Sequence, residues 1–262
     1  MPFIEIDGEP FHVQVDGPPD GPVLLVSNSL SSDMTMWEDQ IPVWSRSRRV
    51  VRYDGRGHGR SVVSPGPTTI ARLGQDAIGI LDALGVLRAD FLGLSLGGMV
   101  GQWVLTHAPR RIRRAVLANT AAHMGPPDLW NGRMALAAAG GMEATVEPTI
   151  TRWFPQGFRE RHPDTIERMR AMVRRTPLEG YLASCAAIRD MDQRDTIRAI
   201  TTPTLIIVGA NDPATTPADG ELIHAAIATS RTEYLQAAHI SNVEQPARFT
   251  QSVSDFLAAP DP

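Results

Sequence analysis

The chain contains no lysine; all 25 of its basic residues are arginine. That usage fits a codon-biased genome, and it makes every cation a potential two-pronged clamp for a carboxylate. Cysteine is nearly absent too. Cys185 is the single one, which excludes an internal disulfide. It sits in Ser184-Cys185-Ala186-Ala187-Ile188, an apolar helical setting that reads as packing and not as a second nucleophile. No apolar run reaches the 18 residues a membrane span requires. Met1-Pro2-Phe3-Ile4-Glu5 lacks a charged stretch leading into an apolar one, so no secretory leader is read there and a cytoplasmic protein is expected. Repeats and low-complexity segments are missing. The charge excess is small, −4 with a pI near 6.0, which gives no electrostatic reason to expect nucleic acid or a membrane surface as partner and leaves a homo-oligomer open.

What is present is an ordinary globular balance, 42% apolar and 21% charged, over 262 residues. That length suffices for one large α/β domain with an inserted lid. Residues 3–7 and 11–15 alternate as a hairpin about Asp7-Gly8. Val23–Ser27 is a continuous apolar run, as expected of a strand buried on both faces, and Arg49–Asp54 is another strand, running into the glycine loop Gly55-Arg56-Gly57-His58-Gly59. Ile70, Leu73, Ala77, Ile80, Leu81 and Leu84 form one stripe of a helix over about 69–84. Strands follow at 88–94 and 114–119. This alternation predicts a mostly parallel sheet flanked by helices. From Asp128 to Asp195 the chain reads as helical throughout; strands resume at 203–209 and 231–235, and a last helix covers about 247–257. The expected division is a core of residues 1–122 and 200–262 and a helical cap of residues 123–199.

Gly93-Leu94-Ser95-Leu96-Gly97 joins an apolar strand to a helix that opens with small residues. A serine between glycines on such a turn is the nucleophile elbow of α/β-hydrolases, and this fold is expected here. The glycines answer a steric need, because side chains two positions either side of the serine would collide with the neighbouring strand and helix. A serine nucleophile needs a base, and the base an orienting carboxylate, in the chain order Ser, acid, His, each beyond the end of a core strand. His239 is the one histidine after the last expected strand; the other six are His12, His58, His107, His123, His162 and His224. Asp212 is the carboxylate of the loop after Val208, in Gly209-Ala210-Asn211-Asp212-Pro213. The oxyanion donors are expected at the backbone N–H groups of Leu96 and Ser29, with Leu30 as the alternative to Ser29 if the register of Ser27-Asn28-Ser29-Leu30 differs by one.

Taken together, these motifs resemble the 3-oxoadipate enol-lactonases of the α/β-hydrolase superfamily. The elbow and the glycine loop are generic to the superfamily. More specific are Ser27-Asn28-Ser29-Leu30, Cys185-Ala186-Ala187-Ile188-Arg189-Asp190 and His239-Ile240-Ser241-Asn242-Val243-Glu244-Gln245-Pro246. The departures are Leu96, where methionine is frequent, and Ser31-Ser32, where a glycine is usual. The resemblance implies a cofactor-free and metal-free serine hydrolase that opens the enol-lactone of 3-oxoadipate during bacterial breakdown of aromatic acids. The alternative is an esterase, or a C–C bond hydrolase acting on another ring-cleavage product with the same three residues. A lactone with a free carboxylate needs a cation in an apolar pocket. Trp130 and Arg133, three residues apart on one side of a helical turn, are the first candidates, and Arg189 the second.

Overall fold

A computed structural model describes residues 3–259; the ends of the expected core segments, residues 1–2 and 260–262, and the Met1-Pro2 part of the leader reading lie outside them. The expected hairpin forms from β1 (Phe3–Ile6) and β2 (Glu9–Asp16). Its two-residue turn has Asp7 at φ 54° and Gly8 at φ 78°, the left-handed pair that matches the twist of the flanking strands. Six further strands follow: β3 (Val23–Ser27), β4 (Arg49–Tyr53), β5 (Ala89–Leu94), β6 (Ile112–Ala118), β7 (Thr204–Gly209) and β8 (Ser230–Leu235). The eight lie in the order β1-β2-β4-β3-β5-β6-β7-β8, antiparallel at β1/β2 and β2/β4 and parallel elsewhere. Every residue of β5 and β7 is buried, which is why these strands read as unbroken apolar runs and not as alternation.

The helices of the core are α1 (Ile41–Trp44), α2 (Ile70–Ala83), α3 (Leu96–His107), α9 (Pro217–Ala226), α10 (Ser241–Glu244) and α11 (Pro246–Ala258). Thr69 caps α2 by accepting from the Arg72 N–H, and the expected stripe is buried from Ile70 to Leu81. Between β6 and β7 stand α4 (Pro127–Gly140), α5 (Glu143–Trp153), α6 (Gln156–Arg161), α7 (Pro163–Arg175) and α8 (Leu178–Arg189). Helix ends at Arg189, earlier than the Asp195 expected. Asp190 caps α8, Asp192 makes an isolated bridge to His123, and the Gln193 side chain donates to Met99 O. Those tertiary contacts draw residues 190–195 out of the helical register. The four-residue α1 and α10 are too short to show a period in sequence.

The inserted helices come against the core main chain at the glycine loop. Gly57, at φ 74° in the glycine loop, lies against Gly180 of α8; a Cβ built on Gly57 would meet Gly180 Cα at 2.5 Å, and one on Gly180 would meet Gly57 O at 1.9 Å. Among the described residues, no helix is long and apolar enough to cross a membrane.

Candidate functional site

Ser95 lies between β5 and α3 with φ 59° and ψ −114°, a strained conformation for a non-glycine residue. The surroundings fix it. Its N–H donates to Ala118 O at 2.9 Å, and its carbonyl accepts from Thr120 Oγ1 at 2.8 Å. The glycines on either side are sterically required: a Cβ on Gly93 would lie 2.1 Å from Gly97 O, and one on Gly97 would lie 2.1 Å from Ser27 O. The elbow therefore presses α3 against the ends of β3 and β5 and raises Ser95 Oγ above them.

The loops after β7 and β8 are tied together, with Ala210 N–H donating to Leu235 O and Asn211 N–H to Ala237 O. This brings Asp212 to His239. Ser95 Oγ lies 2.9 Å from His239 Nε2, and His239 Nδ1 lies 2.8 Å from Asp212 Oδ2. Asp212 is buried and accepts further from Ala214 N–H, Thr215 N–H, Thr215 Oγ1 and Asn119 Nδ2. Burial alone would raise its pKa. The neighbouring His239 and the donors Asn119 and Thr215 outweigh burial and hold the carboxyl at about 2. With Asp212 ionised, Nδ1 keeps its proton and Nε2 is the acceptor facing Ser95, the tautomer a general base needs. The sequence reading assigned no role to Asn119, Thr215 or Ser241. Asn119, at φ 44°, bonds Asp212, Ala238 O and Ser241 Oγ at once and so joins the acid loop to the histidine loop.

On the oxyanion side the expected donors are Leu96 and Ser29, with Leu30 as the alternative to Ser29. Leu96 is the first residue of α3, and its N–H has no partner among the described residues, as is normal in a first helical turn. The Ser29 N–H, in contrast, is directed at Met36 Sδ, 3.5 Å away. It is already engaged, whereas Leu30 N–H has no partner among the described residues; Ser29 and Leu30 both line the same cavity as Ser95. Of the two donors the sequence left open, Leu30 is the one with its N–H unengaged.

The cavity over Ser95 and His239 is roofed by α4, α5 and α8. Trp130 is buried, donates Nε1–H to Met124 O, and carries the Arg133 guanidinium 4.4 Å above its ring. Arg152, which the sequence reading passed over, lines the same wall and donates to Thr149 Oγ1. Neither Arg133 nor Arg152 has a carboxylate partner among the described residues. Burial lowers the pKa of both, and the charge of Arg133 helps bring Arg152 to about 10, so both remain cations at neutral pH. Tyr181 completes this wall beside the buried Cys185, whose thiol burial pushes up to about 12. Arg189 stands elsewhere: its guanidinium grips Asp190 at 2.7 and 2.8 Å and reaches Asn131, while the cavity is lined by the preceding Ile188. One step along a helix turns a side chain by about 100°, and Arg189, the second candidate, does not line this cavity.

The sequence profile of the alpha/beta hydrolase family matches residues 23–251. The chain is 40% identical to 3-oxoadipate enol-lactonase 2 of Acinetobacter baylyi, over 92% of this chain and 90% of that protein. It superimposes on the crystal structure of the enol-lactonase from Burkholderia xenovorans with a TM-score of 0.97 at 40% identity, covering 98% of this chain and 100% of the other. A malate-bound thermophilic esterase from Thermogutta terrifontis superimposes with a TM-score of 0.89 at 29% identity, covering 98% and 96%.

Proposed function

The chain belongs to the alpha/beta hydrolase family, and we propose that its reaction is the hydrolysis of 3-oxoadipate enol-lactone to 3-oxoadipate through an acyl group carried on Ser95. The observation that supports this reading best is one cavity joining the Ser95–His239–Asp212 chain to two half-buried guanidinium groups that lack a carboxylate partner among the described residues. The lactone supplies what both sides lack: a carbonyl for the serine and a side-chain carboxylate for the arginines.

In this mechanism Ser95 Oγ attacks the lactone carbonyl while His239 Nε2 takes its proton. Asp212 stabilises the resulting imidazolium, and the N–H groups of Leu30 and Leu96 hold the oxyanion. Collapse breaks the ring C–O bond. The departing enol oxygen receives the proton from His239 and tautomerises to the ketone, which makes it a good leaving group. His239 then draws a proton from water, whose oxygen attacks the acyl carbon and frees Ser95. Arg133, stacked on Trp130, and Arg152 hold the substrate carboxylate throughout, a bidentate role suited to guanidinium. A single buried cysteine and no disulfide fit a reducing compartment such as the cytoplasm.

The test is a spectrophotometric assay of the enol-lactone generated in situ, run beside p-nitrophenyl acetate. We expect kcat/KM for the lactone to exceed that for the neutral ester by about a hundredfold or more, the worth of one good charge-assisted carboxylate contact. Hydrolysis of the ester with no turnover of the lactone would assign the site to a carboxylesterase instead.

A further inference from the structure

The strap that carries the Leu30 amide holds no glycine, and its shape is imposed by side chains around it. Ser29 C=O and Leu30 N–H belong to one trans peptide and so point in opposite directions. Whatever anchors the carbonyl thereby aims the amide. Ser32 Oγ lies 2.7 Å from Ser29 O and 3.2 Å from Met36 Sδ; its single proton goes to the stronger acceptor, the carbonyl. The Ser32 N–H adds a longer bond to the same oxygen at 3.3 Å. The flanking peptides are fixed as well, Ser29 N–H by Met36 Sδ and Ser31 N–H by His58 Nε2 at 3.1 Å. Ser31 sits at φ 63°, where a residue with a Cβ is strained and stays only if its neighbours hold it. Ser31 and Ser32 are both buried.

We propose that Ser32 is a positioning residue for the oxyanion hole: its hydroxyl, by anchoring Ser29 C=O, sets the direction of the Leu30 N–H toward the oxygen that becomes charged when Ser95 attacks. The inference rests on Ser95 as nucleophile but not on the identity of the lactone. Without the hydroxyl, the Ser29 carbonyl is left with the longer 3.3 Å bond from Ser32 N–H, and the peptide is held less firmly. The effect falls on the transition state, where the charge develops, and spares ground-state binding.

The test compares Ser32→Ala and Ser32→Thr, with Ser95→Ala as control, by steady-state hydrolysis of p-nitrophenyl acetate. Inhibition by a trifluoromethyl ketone, which forms a tetrahedral adduct on a serine nucleophile, is measured beside it. Ser32→Ala is expected to lower kcat by about tenfold to a hundredfold, less than outright loss of an oxyanion donor, with KM within about twofold. The ketone should weaken by the same factor, and Ser32→Thr, which keeps the hydroxyl, should restore most of both. A raised KM at unchanged kcat, an unaltered ketone affinity in Ser32→Ala, or a threonine variant no better than alanine would each overturn the proposal. Ester hydrolysis that survives Ser95→Ala would overturn the nucleophile reading itself, and the proposal with it.

Discussion

Asp212, on the floor of the pocket, accepts hydrogen bonds from Asn119, Ala214, Thr215 and His239, whereas Arg133 and Arg152 on the roof face no carboxylate among the described residues. Both regions bury charge, yet they satisfy it differently. The floor is complete within the protein, so its geometry is set before any substrate arrives and suits acyl transfer to many esters. The roof leaves two cations to be satisfied by whatever enters, so burial there works against any ligand without an anionic group. On the reading proposed above, reaction and selection fall to different segments of chain, loops at strand ends for one and inserted helices for the other.

The strongest challenge to this division is Ser95→Ala. It should lower kcat by about a millionfold on the lactone and abolish ester turnover too, at unchanged thermal stability. More than a few per cent residual activity on either substrate would remove Ser95 from the floor's chemistry. Next in size is Asp212→Asn, expected to reduce kcat by about ten-thousandfold because an amide favours the wrong imidazole tautomer. Asp190→Asn and Asp192→Asn, at exposed residues paired with Arg189 and Arg194, should cost far less; the opposite ranking would move the acid into the helical layer.

Replacing either roof arginine probes selection alone. Arg133→Ala and Arg152→Ala should each raise KM for the lactone by about tenfold to a hundredfold, the value of a charge-assisted contact, while hydrolysis of p-nitrophenyl acetate changes little. Equal losses on both substrates would make these arginines part of the roof's architecture only. The smallest effect is expected at Arg189, whose guanidinium is already held by Asp190. Arg189→Ala should leave both activities within about twofold, as befits an exposed ion pair.

The floor was far more legible in sequence than the roof, for a physical reason. β5, the elbow and α3 are contiguous, and the steric demand at Gly93 and Gly97 is local, so the residue types alone mark Ser95. Asp212 and His239 follow from strand order, because each lies just beyond the end of a core strand, β7 and β8. Which arginine of a helical layer faces a cavity depends on how five helices cross, and no periodicity records that. Arg152 was invisible for this reason, although its spacing of three from Thr149, beside Trp153, is a faint trace of an inward face. For the same reason the sequence does not separate Arg189, paired with Asp190, from the cavity-lining Ile188 one residue before it. The Ser29–Leu30 ambiguity has another origin: it turns on the direction of one amide, which Met36 engages from seven residues away.

The contact between Gly57 and Gly180 governs how closely the inserted helices can lie on the core. Main chain meets main chain there with no room for a methyl group on either side, so the spacing of α8 from the loop after β4 is set by two hydrogen atoms. An alanine at either position would act as a shim between that loop and the helix carrying Tyr181.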